Sequence, residues 1–151
     1  MTTHYPHDAA IKRVADGLLD RSLPKPEWTH AAHFAATLWL LRHRPDLDLT
    51  TALRPVISAY NMATGGVNND TEGYHETITQ ASIAAARAFA SLYADDVALH
   101  AIVDDLMVSS LGKRDWLLQF WTRERLFSVA ARHAWIDPDV RVLHAFPHLS
   151  A

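Results

Sequence analysis

Histidine is the residue type with the most chemistry to offer in this chain. There are ten His, against four Glu, at positions 27, 72, 76 and 124. That ratio makes the charge move strongly between pH 7 and pH 5. His30 and His33 stand at i,i+3, so on a helix both imidazoles reach one ion. His75, from another segment, supplies a third ligand. Three imidazoles leave a position open for water, the pattern of a catalytic zinc or non-haem metal centre. Glu72 or Glu76 then acts as a fourth ligand or as the base that takes a proton from bound water. The metal expected is one divalent ion: zinc, iron or manganese. Glu-x-x-His occurs twice, at Glu27–His30 and Glu72–His75. A di-iron centre needs two more inward Glu. Glu76 is expected outward and Glu124 is distant, so a di-iron centre is not expected.

Two other readings of the same residues stay open. Helix N-termini carry partial positive charge and favour anions over cations. His30, His75, Tyr60 and Asn61 would then hydrogen-bond a small anionic ligand in a metal-free pocket, lined by Thr79. Arg123 or Arg125 would add charge. In the third reading, buried His, Tyr, Asn and Thr only satisfy one another and the helix ends in a structural or interaction domain. Whether the chain is an enzyme stays open with them.

These groups must be positioned by helices. Ala-rich and Leu-rich stretches of period 3.6 run through the chain, and no alternating run suggests a strand. The first helix is expected over 8–21, with Ile11, Val14, Ala15, Leu18 and Leu19 on one face. The second has Pro26 in its first turn and runs to about Arg44. The third is capped by Asp48 or Thr50 and ends before Gly65, with Pro55 near its first turn. A loop over 65–71 follows. The fourth helix is expected over 72–93. His75, Thr79, Ser82, Ala86 and Phe89 face its inner side, and Glu76 and Gln80 its outer side. The fifth starts at Asp95 or Asp96 and ends near Ser110 to Gly112. Helical pattern returns over 115–120 and 123–133, before an irregular tail with Pro138 and Pro147. The fold class is all-α: an up-down bundle of four or five helices with a helical C-terminal extension.

In an up-down order, the start of the second helix, the end of the third and the start of the fourth share one end of the bundle. His30, His33, Tyr60, Asn61, Glu72 and His75 converge there. The end of the fifth helix arrives at the same place, with Lys113 and Arg114 just beyond. His30, His33 and Thr37 fall within about 60° of one another on the second helix. They form either a solvent strip or a buried polar seam. His4, His7, His43, His144 and His148 read as solvated or terminal.

Composition sets the outer limits. The 151 residues are 49% hydrophobic and 21% charged, a globular balance with room for one domain, 1–151. Net charge is -3 with His neutral, which offers no basic surface for nucleic acid. The longest uncharged apolar stretch, between His33 and Arg42, is short of the roughly 20 residues that span a bilayer. With no Cys, thiolate catalysis and disulfides are excluded. The opening MTTHYPHDAA has no basic run before an apolar core, so a cytoplasmic protein is expected. Trp116, Phe120, Trp121 and Phe127 read as core or as a helix-packing surface, an exposed part of which would suit a homodimer. A small-molecule ligand is the other expected partner.

Three segments carry a resemblance: PEWTHAAHF (26–34), AYNMATGGVNNDTEGYHETIT (59–79) and WTRERLFSVAARHAWIDPDV (121–140). Together they resemble a family of small uncharacterised bacterial helical proteins. The resemblance implies that the three segments act together. It implies no substrate and no catalytic role.

Overall fold

The second helix sets the plan of the molecule because it is apolar on nearly every side. In the computed structural model, which describes residues 3–143, this helix is α2, His30–His43. Eight of its residues are buried: Ala31, Ala32, Phe34, Ala35, Ala36, Thr37, Leu38 and Leu40. A helix that is apolar all round must be covered all round. Helix α1 (Asp8–Asp20) packs on one side of it. Helices α4 (Glu76–Ala90) and α5 (Leu99–Val108) pack on others. Helix α3 (Leu49–Ala63) rests on α1 and α4. The short helices α6 (Arg123–Leu126) and α7 (Val129–His133) follow, and α7 lies on α4. Among the described residues the structure is all-helical, with no strand. None of these helices is long and apolar enough to cross a membrane.

Two apolar cores flank α2. Phe34, Leu38, Phe89, Ile102, Leu106, Trp116, Phe120 and Trp121 form one. Val14, Leu18, Leu40, Leu53, Tyr60 and Ile83 form the other. Trp116, Phe120 and Trp121 are therefore interior, while Phe127 is 51% exposed. Tyr60 is buried, and its hydroxyl donates to Leu23 O at 2.9 Å. This bond ties the end of α3 to the chain leaving α1.

Several boundaries differ from the sequence expectation, each for a local reason. Helix α4 begins at Glu76 rather than Glu72. Gly73 has φ +85°, a left-handed conformation that no α-helix contains, and a Cβ there would collide with Val67 O. The Asn69 side chain closes a turn instead, accepting from Thr71 N and Glu72 N at 3.0 and 2.9 Å. Helix α5 begins at Leu99 rather than Asp95 or Asp96, because its cap comes from Asp8 in α1. Pro55 sits in the second turn of α3, where its missing N–H removes one backbone bond. Segment 115–120 contains a 3-10 turn, Trp116–Gln119. Pro147, His144 and His148 lie outside the described residues.

Candidate functional site

Residues from the start of α2, the end of α3 and the start of α4 line one cleft, and residues after α5 lie beside them. They enclose a cleft of two adjacent lobes. The inner lobe, about 340 Å3, has apolar walls from Leu18, Ala36, Leu40, Leu53, Ile57 and Ile78. Its polar lining is His33, Thr37, Asn61, His75, Thr79 and Ser82. The outer lobe, about 510 Å3, lies between α2 and the C-terminal extension, with His30, Phe34, Arg114, Trp116, Arg123 and Phe127 in its wall. Trp28, His33, Ile78 and Ser82 belong to both lobes.

The two helix starts that frame the cleft are built alike. Thr29 caps α2, its hydroxyl accepting from Ala32 N at 3.2 Å. The residue before the cap, Trp28, then meets the fourth helical residue, His33, in a hydrophobic staple. Their rings stack with centroids 3.9 Å apart and planes 25° from parallel. In α4 the cap is His75, preceded by Tyr74, and the fourth helical residue is Thr79. The Thr79 side chain hydrogen-bonds Tyr74. Each staple thus delivers one residue, His33 or Thr79, into the cleft wall.

The three histidines have different tasks. His75 Nδ1 accepts from Ile78 N at 3.1 Å, and its Nε2 donates to Leu126 O at 2.8 Å. Both nitrogens are committed, the first as an acceptor, so the ring is neutral. Burial pushes its pKa down and outweighs the bond to Leu126, which raises it. His30 Nε2 donates to Leu111 O at 2.8 Å, fixing the turn after α5. His33 alone has no hydrogen-bond partner for its ring nitrogens among the described residues. Solvent reaches it through the cleft, while protein surrounds its remaining sides. That surrounding, with repulsion from His30 added, pushes its pKa down to about 4. His33 is therefore neutral at pH 7.

The three histidines expected to share a metal make separate hydrogen-bond arrangements in the structure. His75 has no lone pair left to give, and His30 has one nitrogen bound to a carbonyl. Among the described residues no group of three or more His, Cys, Asp or Glu is placed to hold a metal ion. Glu72 is exposed in the loop before α4 and lines neither lobe. Glu76 accepts from Tyr74 Oη at 2.6 Å and lies 3.8 Å from Arg54 Nη1, also outside both lobes. Tyr60 is used in the core bond to Leu23. Asn61 and Thr79 line the inner lobe, and Arg123 lines the outer one. His30, His33 and Thr37 are neither a solvent strip nor a buried seam: Thr37 is buried, His30 half-buried, and His33 faces the cleft.

Two histidines expected to be solvated, His7 and His43, are exposed and also have definite partners. His7 caps α1 by accepting from Ala10 N at 3.2 Å. His43 lies against Trp39 with ring centroids 3.9 Å apart. Sequence reasoning missed Trp28 and Thr77. Trp28 was findable, because Thr29 is a preferred cap and the residue before a cap pairs with the fourth helical residue. Thr77 gave no signal. It is fully buried and donates to Ala131 O at 2.7 Å and Ala134 O at 3.0 Å. It also accepts from Ile136 N at 3.2 Å. This hydroxyl and the guanidinium of Arg132, which donates to Gly73 O at 3.0 Å, hold the C-terminal extension over the cleft.

Comparison with protein-family models, with characterised proteins and with solved structures found no match for this chain.

Proposed function

We propose that the cleft is a metal-free binding site for a small polar or anionic organic molecule. The carrying observation is the contrast among the histidines. His30 and His75 spend ring nitrogens on backbone carbonyls, whereas among the described residues His33 keeps both free at the junction of the two lobes. A neutral imidazole there offers one donor and one acceptor. Asn61, Thr79 and Ser82 add further polar groups around apolar walls, the usual make-up of a small-molecule site. On this reading the five longer helices run as an up-down bundle, the C-terminal extension covers one end, and the protein works in the cytoplasm.

The test is a fragment screen by NMR, using small carboxylates, sulfonates and amides on the full chain. Fragments that bind should shift the His33 ring and the amides of Asn61, Thr79 and Ser82. His33→Phe keeps a ring against Trp28 and removes both nitrogens, so it should abolish those shifts while leaving the circular dichroism spectrum unchanged. A screen in which no fragment perturbs the cleft would overturn the proposal.

A further inference from the structure

We infer that the outer lobe takes an aromatic carboxylate, with its ring held between aromatic side chains and its carboxylate held by Arg114 and Arg123. The inference rests on the reading of the cleft as a small-molecule site and adds the class of ligand. Two independent features carry it.

The first is charge. Arg114 and Arg123 both line the outer lobe. Among the described residues neither is in an ion pair. Arg123 rests over the Phe127 ring, with its guanidinium carbon 5.8 Å from the centroid. Asp115 is the single carboxylate in this wall, so the lobe has a net positive balance. A planar guanidinium matches a carboxylate through two parallel N–H···O bonds, and lysine would not.

The second feature is the wall. Trp28, Phe34, Trp116 and Phe127 all border the outer lobe. Phe127 is 51% exposed at this wall, with the Arg123 guanidinium over its ring and the His75 ring edge-on to it at 6.5 Å. A cavity of about 150 Å3 lined by apolar residues holds one benzene. The outer lobe, about 510 Å3, is more than three times larger, so a fused two-ring system fits with space for its carboxylate.

Three probes on the intact protein test this: 2-naphthoate, its neutral analogue 2-naphthalenemethanol, and benzoate. Binding is read by calorimetry and by the Trp28 indole N–H resonance. Naphthoate should bind with one-to-one stoichiometry, about tenfold tighter than the neutral analogue, the value of one charge-assisted bond. It should also bind tighter than benzoate and weaken with added salt. Arg114→Gln and Arg123→Gln, both at exposed positions, should each weaken naphthoate without affecting 2-naphthalenemethanol. Equal binding of naphthoate and the alcohol overturns the role of the arginines, and benzoate binding as tightly as naphthoate overturns the two-ring fit. If all three probes leave the Trp28 resonance unmoved while polar fragments still shift His33, this inference fails and the cleft proposal stands. If nothing shifts either residue, both fail.

Discussion

The imidazole of His75 joins two stretches of backbone: its Nε2 donates to Leu126 O at 2.8 Å across 51 residues of sequence. Its Nδ1 meanwhile caps α4 by accepting from Ile78 N. One ring therefore starts a helix and docks α6 against it. A Ser or Asp cap would do the first and not the second, which is a physical reason for histidine here.

Replacing that ring separates the two tasks. His75→Asn retains a capping acceptor and loses the reach to Leu126. His75→Ala loses both. Loss of a cap costs about 1 kcal/mol, and a buried carbonyl left unpaired about 1–3 kcal/mol more. The expected order of stability is wild type, then Asn, then Ala, with Ala lower by about 2–4 kcal/mol. Urea midpoints at constant m-value measure this. Equal loss for both variants would show that the docking bond, and not the cap, carries the effect.

The depressed pKa values of His33 and His75 set a pH dependence. Each folded imidazole titrates below its ordinary 6.5, His33 at about 4. Between 6.5 and the folded value, the unfolded chain holds a proton that the folded chain refuses. Stability is therefore full above 6.5 and falls as pH drops below it. For buried His75 such a proton contributes at most about 1.4 kcal/mol per pH unit, and for His33, whose ring is exposed to solvent, screening makes the contribution smaller. His33→Phe should flatten the slope between pH 6.5 and 4, measured by urea denaturation at half-unit steps. An unchanged slope would place the His33 pKa near its ordinary value.

Asp8 gives a third prediction. Helix α5 has no capping side chain at its own cap residue, Ala98. Asp8 supplies one from α1, accepting from Leu99 N at 3.0 Å and His100 N at 2.9 Å. The His100 ring lies 2.7 Å from the same carboxylate. Burial raises the Asp8 pKa, but these bonds outweigh it and the net shift is downward. Its contribution is thus present above pH 3.8 and lost as pH falls through the lower folded value. Asp8→Ala should cost about 1–2 kcal/mol at pH 7. His100→Ala should cost less, because both backbone donors keep their acceptor. Thermal melts of the two variants give the comparison, and a larger loss for His100 would contradict it.

How much was legible follows from where each signal lives. Periodicity and Pro placement located α1, α2 and α3 closely, since those signals are local. The convergence of His33, Asn61 and Thr79 followed from short connections between helices. The failures were of long-range partners. No local pattern says that Asp8 caps α5, that Thr77 binds Ala131, or that His75 spends its nitrogens on Ile78 and Leu126. Of the eight described histidines, five use the ring for capping or docking: His7, His30, His75, His100 and His133 each bind backbone or a carboxylate.

The turn before α4 provides a fourth prediction. Gly65 and Gly73 both have positive φ, +89° and +85°. A Cβ at Gly65 meets nothing within 4 Å, whereas one at Gly73 meets Val67 O and the Asn68 side chain. Gly65→Ala should lose only the left-handed penalty, about 1–2 kcal/mol. Gly73→Ala should lose that and displace Asn68, which accepts from Tyr74 N at 3.0 Å and donates to Ser58 O at 2.9 Å. The larger urea-midpoint shift should belong to Gly73, with the Asn61 and Thr79 resonances moving as the inner lobe distorts. Equal shifts would mean the loop relaxes without disturbing the lobe.

Zinc distinguishes the cleft from a metal centre by the state of one ring. With Nδ1 accepting from Ile78 N, His75 is held as the Nε2–H tautomer. Histidine side-chain nitrogen spectra at pH 7 should show that tautomer, and one equivalent of zinc should leave its shifts and the melting temperature unchanged. Zinc contact at His33, whose nitrogens face the cleft, would move only the His33 signals. For His75 to bind zinc, it must release either the cap of α4 or the bond to Leu126. That exchange would register as a shifted His75 ring together with altered amides at Ile78 or Phe127. A raised melting temperature with those shifts would restore the three-His centre and overturn the metal-free cleft.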